Sequence, residues 1–346
     1  MALPVSGPMQ ASMINVELFR PDTNIFTLDE APVRTLAARP SGIISLNDFY
    51  GKSNRVTVST VTITANTANY VFSPTSVSGY VAGATDATIT INSGIYIYST
   101  NIANAGLTVS GWTTGDSVTI INNGYIIGIG GNGYNSTNSI AAQAGQPAIN
   151  TNISLNIVNN GYIAGGGGGG GGYNAGGGGG AGGGVGGDTS ASLAGGIGGT
   201  PGAVGATGRF GQAGIGGSPT FKVMGGAGGG GRLLPGTGGI GGGVSAASAG
   251  TGGGAGGGAG YFAMPYAPSG GGTGGNGGSA GNVGFNGTGT KKIASGGGGG
   301  WGASGGTGYN NDAITSYIGG PGGKAIQLNG TTITTSGSGT IYGAIS

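Results

Sequence analysis

The sequence predicts a mostly β and irregular chain. A small helical N-terminal docking module and a β-rich middle of short strands precede a polyglycine II helix sandwich with apolar loops. Three observations carry that expectation. Glycine supplies 93 of the 346 residues, and 74 of them fall within 161–323, far above ordinary usage of about 7 %. Charge is segregated as well: residues 1–55 hold five basic and five acidic residues, whereas 56–160 hold only Asp86 and Asp116. Finally, 56–160 is rich in β-branched alternation with no helical period. The expected division is therefore 1–55, 56–160, 161–323 and a C-terminal β segment at 324–346.

Within 1–55, Pro8 suits a first helical turn, and Met9, Met13, Val16 and Phe19 follow at about helical spacing until Pro21 and Asp22 stop the helix. A second piece runs from about Leu28 to Ala38, with Asp29 and Glu30 at the positive end and Arg34 and Arg39 later. Ser45 is placed to cap a third turn, Leu46 to Tyr50, closed by Gly51. Fifty-five residues with so few large apolar side chains make a poor independent core, so the module is expected to dock on something. Phe19, Val33, Leu36, Leu46, Phe49 and Tyr50 are the expected docking residues.

Residues 56–160 read as short strands around Val56, Val58, Val61 and Ile63, then Ile89–Ile91, Ile95–Tyr98 and Val118–Ile121, separated by Gly and Asn turns. The segment Ser117-Val-Thr-Ile-Ile-Asn-Asn-Gly-Tyr-Ile-Ile-Gly128 recurs as Ser154-Leu-Asn-Ile-Val-Asn-Asn-Gly-Tyr-Ile-Ala-Gly165, eight of 12 positions identical at an offset of 37. Such repetition implies stacked or paired rungs, and each copy reads as strand, turn, strand, because Asn-Asn-Gly tolerates positive φ.

The glycine tract has no strict Gly-X-Y register, which excludes collagen. A flexible linker is the plain reading of an isolated glycine run. Here about ten runs of similar length alternate with apolar breaks such as Tyr261-Phe-Ala-Met-Pro-Tyr266, which favours packed extended helices of three residues per turn. These have no internal hydrogen bonds, so their N–H and C=O groups pair between neighbours, and glycine lets the axes approach closely. Glycine faces carry no chemistry, so specificity would lie in the loops. Phe210, Phe221, Arg232, Tyr261, Phe262, Tyr266, Trp301, Tyr309 and Tyr317 sit in or beside the breaks. Each could pack on the rim, but as a group they suit stacking on sugars or gripping surface loops of a protein.

Cysteine and histidine are both absent, which removes thiolate nucleophiles, the usual zinc sites and imidazole acid/base chemistry. No cofactor or metal is expected. The net charge of +2 forms no basic stripe, so nucleic acid is not an expected partner. No 18-residue apolar window exists, and residues 1–10 lack the charged and apolar parts of a signal peptide, so a chain made in the cytosol and not embedded in a membrane is expected. Gly51-Lys-Ser53 and Gly128-Ile-Gly-Gly-Asn-Gly133 imitate nucleotide-binding motifs, but Leu46 replaces the required glycine in the first and no helix follows the second. Calcium-binding glycine repeats would need an Asp in each copy, and Asp188 stands nearly alone.

The segments Ile14-Asn-Val-Glu-Leu-Phe19, Val33-Arg-Thr-Leu-Ala37 and Ser41-Gly-Ile-Ile-Ser-Leu-Asn-Asp-Phe-Tyr-Gly-Lys-Ser53 resemble a short N-terminal module of tail proteins of tailed bacteriophages. The interrupted polyglycine tract resembles the polyglycine II sandwich of tail-fibre tip adhesins of T-even-like phages. The resemblance implies a virion protein of the tail fibre or tail tip, attached to other phage tail proteins through 1–55. Loops within 188–318 would contact a bacterial surface receptor, an outer-membrane protein or a glycan. The resemblance implies a binding module and not an enzyme. The alternative is a purely structural tail-fibre, tail-tip or baseplate component with the glycine slab as a rigid spacer. A polysaccharide-degrading enzyme would need paired carboxylates, for which Asp86, Asp116, Asp188 and Asp312 are the candidates outside the docking module. No heptad pattern exists, so a homotrimer would form through 56–160 or by docking on a trimeric fibre.

Overall fold

The computed structural model describes residues 3–18, 20–58, 60–133, 140–171, 298–309 and 316–346. It divides into two compact units. Unit 1 comprises Met1–Val61, Ser73–Ile89 and Gly111–Thr119, and unit 2 comprises Thr62–Phe72, Thr90–Ser110 and Ile120–Ser346.

Unit 1 contains the helices, each shorter than its sequence pattern. Helix α1 is Ala11–Glu17, α2 is Ala31–Ala37, and Leu46–Phe49 forms a 3₁₀ turn. Pro32 lies in the first turn of α2, where its missing N–H costs nothing, and Ala38 at φ 53° ends the helix in the left-handed region. The 3₁₀ turn is capped as expected: the Asp48 carboxylate accepts from the Ser45 N–H at 2.8 Å. Ile14, Val33, Leu36, Ile44 and Phe49 are buried together with Leu3 and Ala37. Helices of seven residues do not stand alone in water, so it is this shared core that holds them. Ion pairs clip the connecting loops: Arg20 to Glu30 at 2.7 Å, Arg39 to Asp48 at 2.9 Å, and Arg34 to Asp29. Arg55 leads into the strands, donating to Asp86 at 2.6 Å, the Gly115 carbonyl at 2.7 Å and the Thr85 carbonyl at 2.9 Å.

The strands wind as coils that stack in parallel. Coil one supplies β1 (Val56–Thr57), β2 (Val61–Ile63), β3 (Thr67–Ala68) and β4 (Tyr70–Phe72). Coil two supplies β5 (Thr85–Ile91), β6 (Tyr96–Tyr98) and β7 (Leu107–Val109). Coil three supplies β8 (Ser117–Asn122), β9 (Tyr125–Ile127) and β10 (Ile149–Thr151). Coil four begins with β11 (Leu155–Asn159) and β12 (Tyr162–Ala164). The glycine tract then intervenes, with a short antiparallel pair β13 (Gly308–Tyr309) and β14 (Ser316–Tyr317). Coil four resumes at β15 (Ile326–Gln327), and coil five supplies β16 (Ile333–Ser336) and β17 (Thr340–Tyr342).

Three sheets result, in the orders β1-β5-β8-β11-β16 with β2 also on β5, β3-β6-β9-β12-β17, and β4-β7-β10-β15. The 37-residue offset is the spacing of two coils: Tyr125 pairs with Tyr162 and Ile126 with Ile163. The stacked rungs anticipated from the repeat are therefore present. The turn between them is not a hairpin, however, because Asn-Asn-Gly carries the chain round a corner from the first sheet to the second. Inward positions alternate along each strand, as the buried Ile89, Ile91, Val118 and Ile120 show. Like residues stack on like. Asn122 donates to Asn159 at 2.8 Å in the interior, Asn160 to Asn123 at 2.9 Å outside, and the Tyr96, Tyr125 and Tyr162 rings stack at 4.4 and 5.4 Å. Segment 324–346 contributes to all three sheets: Leu155 pairs with Ile333 across 178 residues of chain.

Candidate binding region

The connections from the second sheet to the third grow along the stack. Coil one uses the single residue Asn69, held at φ 49°. Coil two uses 99–106, coil three 128–148 and coil four 165–325. The glycine tract is thus one insertion at a corner where shorter insertions already project, and it continues the stacking order of the coils.

At its root the insertion is joined mainly by backbone hydrogen bonds. Residues 165–171 are bonded to several other stretches, Gly165 donating to the Tyr342 carbonyl among them. Gly128 and Gly131 donate to Ala164 and Gly167; Gly166 and Gly169 donate to Gln146 and Gln143; Gly320 and Gly323 donate to Gly169 and Gly166. On another side Gly299 and Gly302 donate to Gly168 and Gly165, while Gly168 and Gly171 donate to Ala303 and Gly306. Each series advances by three residues, the period of the extended helix expected here. Glycine is required by proximity: a Cβ on Gly166 would strike the Ile129 carbonyl, and one on Gly169 the Asn132 carbonyl. Of the expected sandwich, 172–297 and 310–315 lie outside the described residues.

Among the expected loop contacts, Phe210, Phe221, Arg232, Tyr261, Phe262 and Tyr266 also lie outside the described residues, as does Phe19 of the docking set. Tyr309 falls in β13 and Tyr317, half-buried, in β14. Trp301 is not a displayed loop aromatic. It is 0 % exposed, buried with Ile127 and Ala164 and set edge-on against Tyr162 at 6.2 Å and Tyr342 at 5.8 Å. An indole flanked by glycines cannot be buried within a side-chain-free layer, but it can be buried by a neighbouring aromatic row. Burial raises the Tyr96 hydroxyl well above its ordinary range, with Tyr125 adding to the effect, and raises Tyr342 as well. Ile102, Ile140 and Ile318 are exposed apolar side chains on these connections, Ile318 at 77 %. Nothing in their immediate sequence sets them apart.

In unit 1, Val33, Leu36 and Phe49 are core residues and so build the module without facing a partner. Leu46 is exposed and Tyr50 half-buried, its hydroxyl donating to the Gly7 carbonyl. The most exposed apolar side chains are instead Ile25 at 99 % and Ile43 at 92 %, with Val5 and Val16 also outward. Both isoleucines sit on loops clipped by the ion pairs described above.

The carboxylates Asp86 and Asp116 have structural duties. Asp86 holds Arg55, while Asp116 accepts from the Tyr80 hydroxyl at 2.8 Å, the Thr113 N–H at 2.8 Å and the Thr85 N–H at 3.1 Å. Among the described residues no group of three or more acidic side chains could hold a metal ion, and no helix is long and apolar enough to cross a membrane.

No curated protein matches this chain. A solved structure, the gp37-gp38 adhesin tip complex of the bacteriophage S16 long tail fibre, aligns over 99 % of this chain and 100 % of that chain, at 19 % identity and a TM-score of 0.41. The family model described as phage tail fibre adhesin Gp38 matches residues 58–233, just over half of the sequence and spanning both the coils and the entry into the glycine tract. The chain belongs to the phage tail fibre adhesin Gp38 family.

Proposed function

We propose that this tail adhesin fixes itself to another tail protein through the helical part of unit 1 and meets the bacterial surface through loops of the glycine-rich insertion. The observation that carries this reading is the corner insertion itself: its root pairs backbone with backbone and buries its one large side chain, Trp301, so recognition falls to the segments between glycine runs. The receptor is an outer-membrane protein or a surface glycan, and the role is binding without catalysis. Ile25 and Ile43, rigidly presented and apolar, are the anchors on the tail side. Exposed apolar side chains of this kind mark contact sites. The tail partner is a fibre protein, since a fibre adhesin needs a fibre to carry it, and a trimeric fibre would carry this chain without a trimer of its own. The chain is made in the host cytoplasm and works on the virion.

The test is saturable binding of the labelled full-length protein to host cells, beside a variant with Tyr261, Phe262 and Tyr266 changed to Ala. Loss of at least tenfold in cell affinity, with the solenoid still folded, is expected. Unchanged binding by this variant would move the contact away from that loop. Absence of binding by the folded parent would favour the spacer role.

A further inference from the structure

A layer of glycine helices has a difficulty that an ordinary core does not. Its hydrogen bonds recur every three residues and its faces carry no side chains, so a segment displaced by three residues re-forms the same bonds with equivalent partners. Nothing within the layer distinguishes one register from the next. Each displacement would carry the attached loops about 9 Å along the layer, at about 3.1 Å per residue. Loops that must face a receptor therefore need a landmark elsewhere.

We propose that Trp301 is that landmark, a positioning residue that fixes the register of the segment 298–306 and hence of the loops it leads to. The segment runs inward to Gly300, turns, and runs outward again. Gly299 and Gly302 bond antiparallel to Gly168 and Gly165, Ala303 donates back to Gly300 at 3.1 Å to close the turn, and Gly168 and Gly171 bond to Ala303 and Gly306 on the outward run. Trp301 is the first inner residue of this turn and Gly302, at φ 65°, is the second, where the left-handed conformation is required. The indole lies against Tyr162 and Tyr342, which belong to the coils and not to the glycine layer. The remaining side chains of 298–306 are those of Ala303 and Ser304, too small to tell one register from another. One aromatic ring, seated in an aromatic row that cannot slide, thus sets the position of a segment that otherwise can.

The role of the loops in binding rests on the function proposed above, so register is measured separately from cell attachment. The chain has no cysteine, and spin labels on Thr307→Cys and Thr334→Cys report the distance between the outward run and coil five. The parent should give a single narrow distance. Trp301→Ala should add populations displaced in steps of about 9 Å, and Trp301→Phe should return the single distance. A second variant keeps the indole: three glycines inserted after Gly305 preserve the three-residue step. If Trp301 is the landmark, the label at 307 moves outward by one step. A label that stays in place, with the extra residues accommodated towards Trp301, would overturn the proposal, as would a single unchanged distance in folded Trp301→Ala. Altered register with undiminished cell binding would count against the loops as the binding site and leave the landmark standing.

Discussion

Unit 1 and the glycine layers reach order by opposite means. Unit 1 joins short helices through interdigitated side chains such as Ile14, Val33 and Phe49 and clips its loops with ion pairs. All of the described acidic side chains lie in it. The layers around 165–171 have neither side chains nor charges at their contacts and are held by backbone hydrogen bonds between neighbouring segments. Shape complementarity gives unit 1 a unique packing but makes each core side chain irreplaceable. Close backbone approach leaves Gly165, Gly166, Gly168, Gly169 and Gly171 no room for a Cβ, so that at these positions what cannot be tolerated is any side chain at all.

The largest separation of the two should come from Phe49→Ala. Removing a fully buried ring costs about 3–5 kcal/mol, and the helical signal at 222 nm should be lost at much lower denaturant. The transition followed through the stacked tyrosines of unit 2 should stay in place. A common shift of both transitions would show that the units unfold as one. Gly169→Ala should reverse the pattern. The added methyl meets the Asn132 carbonyl and carbonyl carbon, an overpacking cost of about 1–3 kcal/mol, read by Trp301 fluorescence in a Trp112→Phe background during denaturation while the helical transition is unmoved.

Acid should give the smallest effect and also act on one side. The Glu30 carboxyl is held below its ordinary value of 4.5, chiefly by the Thr27 N–H and then by Arg20. Asp48 is held below 3.8, chiefly by the Ser45 N–H and then by Arg39. Because both are depressed in the folded state, their contribution is complete above about pH 4.5 and fades as pH falls through the lowered values. Helical signal should weaken there before the near-ultraviolet signal of the tyrosine row. Simultaneous loss of the two would mean that the coils also depend on ionised groups.

Much of this contrast was legible in the sequence. Charge segregation marked unit 1, the glycine step marked the insertion, and Asn-Asn-Gly-Tyr-Ile marked two coils. The other coils were hidden for physical reasons. Coil five presents Gly337-Ser-Gly-Thr340 where the repeat has Asn-Asn-Gly-Tyr, because an end coil does not continue the ladder in both directions. Its pairing with β11 also spans the whole insertion. Strands of two to seven residues do not declare which sheet they join, since a corner and a hairpin use the same turn residues. In helices of seven residues and a 3₁₀ turn of four, spacing does not separate a residue facing the core from one facing a partner, so Val33, Leu36 and Phe49 carry a docking pattern in the sequence while the exposed Ile25 and Ile43 carry none. Trp301 looks like a loop aromatic in the sequence because its burial depends on a tyrosine row contributed from elsewhere in the chain.

The insertion also begins and ends side by side: Gly323 donates to the Gly166 carbonyl at 2.7 Å. The two ends of the insertion therefore leave and re-enter the coils at neighbouring points. A graft at this place has to carry its own root, because Gly131, Gln143 and Gln146 bond to 165–171 and Trp301 covers Tyr162 and Tyr342. A replacement that brought only two adjacent termini would leave those groups without their partners.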